Sequence, residues 1–174
     1  MAGDETLIQV VDAALAEAVR KCGPWLVCRP GCTECCMGPF PITQLDARRL
    51  REGLAELESR DLERAARVRE RARQAVADAG TDDDPCPALD PSTGTCDLYA
   101  ARPITCRIFG PPVRCGSGAV GVCELCFQGA SDEEIAACAV RVDPGLESQL
   151  SNELAESTGV RGETSVALAL VAAP

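Results

Sequence analysis

The chain has no histidine, a single lysine and only five aromatic side chains among its 174 residues. Without an imidazole there is no Ser-His-Asp triad, no Cys-His dyad and no histidine-ligated metal. Trp25, Tyr99, Phe40, Phe109 and Phe127 are too few to stack the bases of single-stranded nucleic acid. Long apolar runs are missing too. The best, SVALALVAAP at 165–174, has 10 residues, against about 18–20 needed to span a bilayer. Asp4, Glu5 and Asp12 deny the N-terminus the basic start and unbroken apolar stretch of a secretory signal. The expectation is a cytoplasmic protein with no membrane partner. Basic residues number 17 against 27 acidic, a net charge of −10, so nucleic-acid backbones and anionic membranes should repel it. The length suits one domain.

Cysteine is what the chain has in excess: 12 residues. In a reducing compartment so many thiols point to metal ligation or redox chemistry more than to disulfides. They fall in two blocks between helical segments. Residues 4–21 place Leu7, Ile8, Val11, Leu15, Ala18 and Val19 on one face at helical period. The first block, 22–41, holds Cys22, Cys28, Cys32, Cys35 and Cys36 among four prolines, which confine these cysteines to turns. Thr43 and Asp46 open a helix expected to run to 79, with Leu45, Leu50, Leu54 and Leu57 as its stripe and a restart at Ser59. Its nine arginines against eight acids, with Glu56/Arg60 and Glu63/Arg67 four apart, read as a solvated face rather than a nucleic-acid surface.

The second block, 86–126, carries Cys86, Cys96, Cys106, Cys115, Cys123 and Cys126. Beyond it, Ser131 and Glu134 form a capping box for a helix to about Arg141 bearing Cys138, and Asp143-Pro144 opens another to 157. The tail from Thr164 is read as a short helix, although Val166, Leu168 and Leu170 also alternate as a strand would. Both cysteine blocks are electrically neutral before their thiols ionise, and Arg29, Arg102, Arg107 and Arg114 lie within them to offset thiolate charge. The fold class expected is mainly α: a single small helical domain over 1–174, with irregular cysteine-rich loops at about 22–126 organised around a thiolate metal centre and a helical extension over 131–174.

Thiolates are ligands for zinc and for iron–sulfur clusters, and Cys-x-x-Cys turns offer two to one centre. Cys32/Cys35 and Cys123/Cys126 have this spacing. Cys28, Cys36, Cys86, Cys96 and Cys106 then remain, too many for one mononuclear site, so a cluster or two sites is implied. The elements CRPGCTECC (28–36), CPAL (86–89) and CDLYAARPITCRIF (96–109), with Cys123 and Cys126 after them, resemble the CxxCxxCC family of zinc- or iron-chelating domains. The interval Cys28 to Cys32 is one residue longer than the family's pattern. The resemblance implies a ligand set of Cys28, Cys32, Cys35, Cys36, Cys86, Cys96, Cys106 and Cys126, with Cys123 competing for the last place. It implies zinc or iron, including an iron–sulfur cluster, as cofactor. Larger relatives, the flagellin lysine methylases, pair the motif with methyl transfer.

Outside that set, Cys22 and Cys138 are read as small buried hydrophobes beside helices, and Cys115 is left open. Arg102 and Arg107 are either surface arginines or hydrogen-bond donors to cluster sulfur or nearby carbonyls. Tyr99 and Phe109 are expected to pack in the core over the site. The run CGSGAVG lacks the Lys-Ser/Thr of a phosphate loop. The leading function is metal binding with a structural, chelating or sensing role. The alternatives are an iron–sulfur electron-transfer protein or enzyme related to lysine methyl transfer, and a thiol–disulfide protein using Cys35-Cys36 or Cys123/Cys126. No nucleophile or general base presents itself.

Overall fold

A computed structural model describes residues 2–78, 81, 83–114, 120–140 and 144–172. Cys115, Gly116, Gly118, Arg141 and Asp143 lie outside the described residues. The architecture is mainly α. In chain order the regular elements are α1 (Ala2–Cys22), β1 (Pro41–Thr43), α2 (Gln44–Arg60), α3 (Leu62–Ala77), β2 (Leu89–Asp90), β3 (Thr95–Cys96), α4 (Ile104–Ile108), β4 (Val113–Arg114), β5 (Val120–Gly121), α5 (Asp132–Ala137), α6 (Pro144–Thr158), β6 (Glu163–Ser165) and α7 (Val166–Val171). Among the described residues no helix is long and apolar enough to cross a membrane. The chain divides into two compact units: unit 1, Met1–Arg29 with Ile104–Leu150, and unit 2, Pro30–Pro103 with Ser151–Pro174.

Unit 2 is built on α2, α3 and α7. The Thr43 side chain accepts a hydrogen bond from the Asp46 amide at 3.1 Å and starts α2 as its sequence foretold. The expected helix over 43–79 is nevertheless two helices. The break falls at Asp61, not Ser59, because the Asp61 carboxylate accepts from the Arg64 amide at 2.9 Å and so caps a new helix. Leu50, Leu54 and Leu57 of α2 meet the small stripe Ala65, Val68 and Ala72 of α3, and α7 adds Val166, Ala169 and Leu170. The small residues on α3 bring its axis close to the core. The tail forms the expected short helix, but from Val166 rather than Thr164; the alternating Val166, Leu168 and Leu170 lie on that helix, and the strand falls just before them. Residues 163–165 pair antiparallel with β1, Ile42 opposite Thr164, and Ser165 then caps α7 by accepting from the Leu168 amide at 3.2 Å.

Unit 1 centres on α1, whose apolar face buries Leu7, Val11, Ala18 and Cys22. Asp4 and Glu5 in its first turn and Arg20 and Lys21 in its last complement the helix dipole. The short α4 lies against it, tied by Arg107 Nη1 donating to both Asp12 carboxylate oxygens at 3.0 and 2.9 Å. α5 opens on the complete Ser131/Glu134 capping box but is shorter than expected, with Cys138 as its C-cap. A second core gathers Ala18, Cys22, Cys123, Cys126, Phe127, Cys138 and Val140. Trp25 and Phe127 stack there at 6.4 Å between ring centroids.

Candidate metal centre

Four thiols of unit 2 come together from segments far apart in sequence. Cys35 and Cys36 lie on a 3-10 turn, Glu34–Cys36, closed by the Cys36 amide donating to the Thr33 carbonyl at 2.8 Å. The Cys86 segment runs beside it: Met37 bridges Pro85, and the Cys86 amide donates to the Cys36 carbonyl at 2.6 Å. Cys96 is brought in by the hairpin of β2 and β3, where it pairs with Leu89. The turn of that hairpin is held by the Asp90 carboxylate, which accepts from the Ser92 hydroxyl at 2.7 Å and the Ser92 amide at 2.9 Å and sits below its ordinary ionisation range for that reason.

These thiols feel one another. Cys35 is drawn down to about 6, first because the Cys36 thiol donates to it, with the Arg102 guanidinium assisting against partial burial. Cys36 is raised, by that donated bond, by burial, and by the neighbouring Cys35, Cys86 and Cys96. Burial pushes Cys86 up to about 11, opposed by the Ala88 and Leu89 amides hydrogen-bonding to it. Cys96 is raised by burial too, and there the Leu98 amide and Arg102 favour the thiolate. Backbone amides turned toward sulfur, together with a guanidinium, suit thiolates that bind a soft metal and neutralise part of their charge. The donor set therefore fits zinc or iron. Among the described residues no three Cys, Asp or Glu side chains already surround a common point as a finished metal site.

Of the other expected ligands, Cys32 is half-buried in unit 2, while Cys28, Cys106 and Cys126 belong to unit 1. There Cys28 Sγ lies 4.0 Å from Cys126 Sγ. Cys123 is buried beside Cys126 and its thiol is raised by that burial, with the Leu125 and Cys126 amides opposing. Cys22 and Cys138 are buried core thiols. Cys22 is pushed up to about 12, chiefly by burial, and lies 3.6 Å from the Cys138 carbonyl oxygen.

Three expectations need correction. Tyr99 and Phe109 are not core residues: they are 64 % and 44 % exposed. Tyr99 instead offers its ring to the Arg102 guanidinium, 3.9 Å from the centroid, and its carbonyl accepts from Arg102 Nη1 at 2.9 Å. The ring thus faces Arg102, whose charge favours the thiolate at Cys35 and opposes the rise at Cys96. Arg107 ties α4 to α1 through Asp12. The arginine face of α3 is not only solvated. Although Arg60 pairs with Glu56 at 3.4 Å as expected, Arg64 and Arg71 both bind Asp97, which follows Cys96 directly and whose side chain is 1 % exposed. Sequence reasoning missed this clamp; two arginines seven apart on one helix face were the signal.

A mainly α chain with two thiol-bearing loops brought side by side defines a cysteine-rich metal-chelating class. A family model described as "Putative zinc- or iron-chelating domain" (CxxCxxCC) matches residues 27–128. The chain belongs to this family. No curated protein and no solved structure matches the chain.

Proposed function

We propose that the protein holds zinc or iron through cysteine thiolates, with Cys35, Cys36, Cys86 and Cys96 as the principal ligand group of unit 2. Cys32, Cys28, Cys106 and Cys126 complete the proposed ligand set. A bound metal would supply a cross-link between the thiol-bearing loops, or a redox centre where the metal is a cluster of iron and sulfide. The protein's part is to bring thiols from two distant segments together and to turn backbone amides and the Arg102 guanidinium toward sulfur, which offsets thiolate charge against burial. The observation that carries this reading is the juxtaposition of the cysteine segments, with the Cys86 amide donating to the Cys36 carbonyl at 2.6 Å and the β2–β3 hairpin setting Cys96 opposite Leu89. Chelating, structural or sensing roles follow from it without any nucleophile or general base.

The test is zinc, iron and acid-labile sulfide content on protein purified without oxygen, with its visible spectrum, for the wild type and Cys86→Ser/Cys96→Ser. Stoichiometric metal that the double variant loses supports the reading. A brown, sulfide-bearing protein identifies a cluster, and a colourless zinc protein a structural site. Wild-type protein without metal, or a double variant that keeps it fully, overturns the reading. The lowered Cys35 thiol beside Cys36 favours thiol–disulfide chemistry as a second reading. Rapid alkylation of two thiols in the native protein as purified would support that alternative, and metal-protected thiols would count against it.

A further inference from the structure

We propose that Arg71, acting through Asp97, is a positioning residue for the metal centre, clamping the Cys86 and Cys96 turns to one rigid helix. The proposal rests on the reading that Cys86 and Cys96 are ligands. One guanidinium reaches both turns. Arg71 Nε donates to the Pro87 carbonyl at 2.8 Å, one residue past Cys86. Arg71 Nη2 donates to Asp97 Oδ2 at 2.5 Å, one residue past Cys96. The other Asp97 oxygen accepts from Arg64 Nε, also at 2.5 Å. Behind the clamp, the Asp97 amide donates to the Ala88 carbonyl at 2.7 Å, so the same short stretch is tied through backbone and side chain.

The anchor is stiff because α3 buries Ala65, Val68 and Ala72 completely in the unit 2 core. A carboxylate as buried as Asp97 is costly unless cations face it, and two do. Arginine suits the position because its planar fork sends donors in two directions at once, which a lysine ammonium on a flexible stem does less well. Outer groups that orient ligands in this way typically carry 10–100-fold in metal affinity. A role confined to holding the fold together would show up in stability alone.

The experiment measures Zn²⁺ affinity of the reduced, metal-free full chain by competition with a chromophoric chelator, and records the spectrum with Co²⁺ as an optical probe. Arg71→Met and Asp97→Asn are expected to lose about 10–100-fold in Zn²⁺ affinity and to shift the thiolate-to-cobalt band. Arg71→Lys is expected to recover part of both. Arg69→Met, on the same helix but paired with Glu58, is expected to match the wild type. Circular dichroism of the metal-free proteins reports folding, and Arg71→Lys with Asp97→Asn carry the comparison should Arg71→Met not fold. The proposal is overturned if Arg71→Met and Asp97→Asn bind Zn²⁺ and Co²⁺ as the wild type does, or if Arg69→Met loses as much. Loss in Cys86→Ser with retention in Arg71→Met sinks the clamp alone. Wild-type binding in Cys86→Ser sinks the ligand reading and the clamp with it.

Discussion

Gly110 stands at φ +115°, and a Cβ added there would lie 2.9 Å from Cys28 Sγ. Both the backbone and the sulfur beside it require glycine. Gly110→Ala should therefore cost roughly 1–3 kcal/mol, read by urea unfolding of the reduced protein, and should change the alkylation rate of Cys28. The same scale separates packing thiols from proposed ligands. Cys22 and Cys138 are buried among apolar neighbours, so Cys22→Ala and Cys138→Ala should lower stability by on the order of 1 kcal/mol and leave metal content unchanged. Cys35→Ser, by contrast, should lower metal content. Equal metal loss in Cys22→Ala and Cys35→Ser, measured by elemental analysis, would contradict this division.

Helix ends and helix contacts decide the behaviour of the elements. Gly53 sits inside α2, where replacing glycine by alanine in an exposed helix gains about 1 kcal/mol. Here the new Cβ would lie 2.3 Å from Ala101 Cβ, far inside contact distance. Overpacking of that kind costs roughly 1–3 kcal/mol, so Gly53→Ala should lower the unfolding free energy, reversing the sign expected from propensity. At α5 the Glu134 carboxylate accepts from the Ser131 amide at 2.8 Å and its pKa lies below the ordinary 4.5 as a result. A carboxylate with a lowered folded pKa stabilises fully above its unfolded value and loses that contribution as pH falls through the folded one. The Glu134 contribution should hold above about pH 5 and fade below 4.5. A Glu134→Gln variant should lack this component of the acid limb when stability is followed against pH.

For the molecule as a whole, apolar packing and the proposed thiol ligation support different parts. α2, α3 and α7 share an apolar core to which the Cys86–Cys96 stretch adds Ala88 and Leu98, whereas the Cys35-Cys36 turn is a single 3-10 turn joined to Cys86 by one backbone bond. Removing metal with a chelator should therefore lower the melting temperature and loosen the loops while much of the helical circular dichroism remains. Binding to a structural thiolate site is folding free energy, on the order of 10 kcal/mol for zinc. An unchanged melting temperature after complete metal removal would argue that the loops hold themselves.

The caps at Thr43 and Ser131 and the apolar face of α1 were legible in the sequence because they depend on residues within a turn or two of one another. The family was legible for a similar reason: spacing along the chain is itself the signature. Asp61 was harder to see, since Ser59 offers a competing restart two residues away and only the hydrogen bond to Arg64 decides. Tertiary structure alone decided that Cys36 and Cys86 lie side by side, that the Tyr99 ring is exposed and faces Arg102 rather than roofing a core, and that Arg71 reaches Pro87 and Asp97. The Cys36–Cys86 and Arg71 contacts join residues far apart in sequence, and those of Arg71 exist because the packing of α3 and the β2–β3 hairpin brings buried charge to its partners.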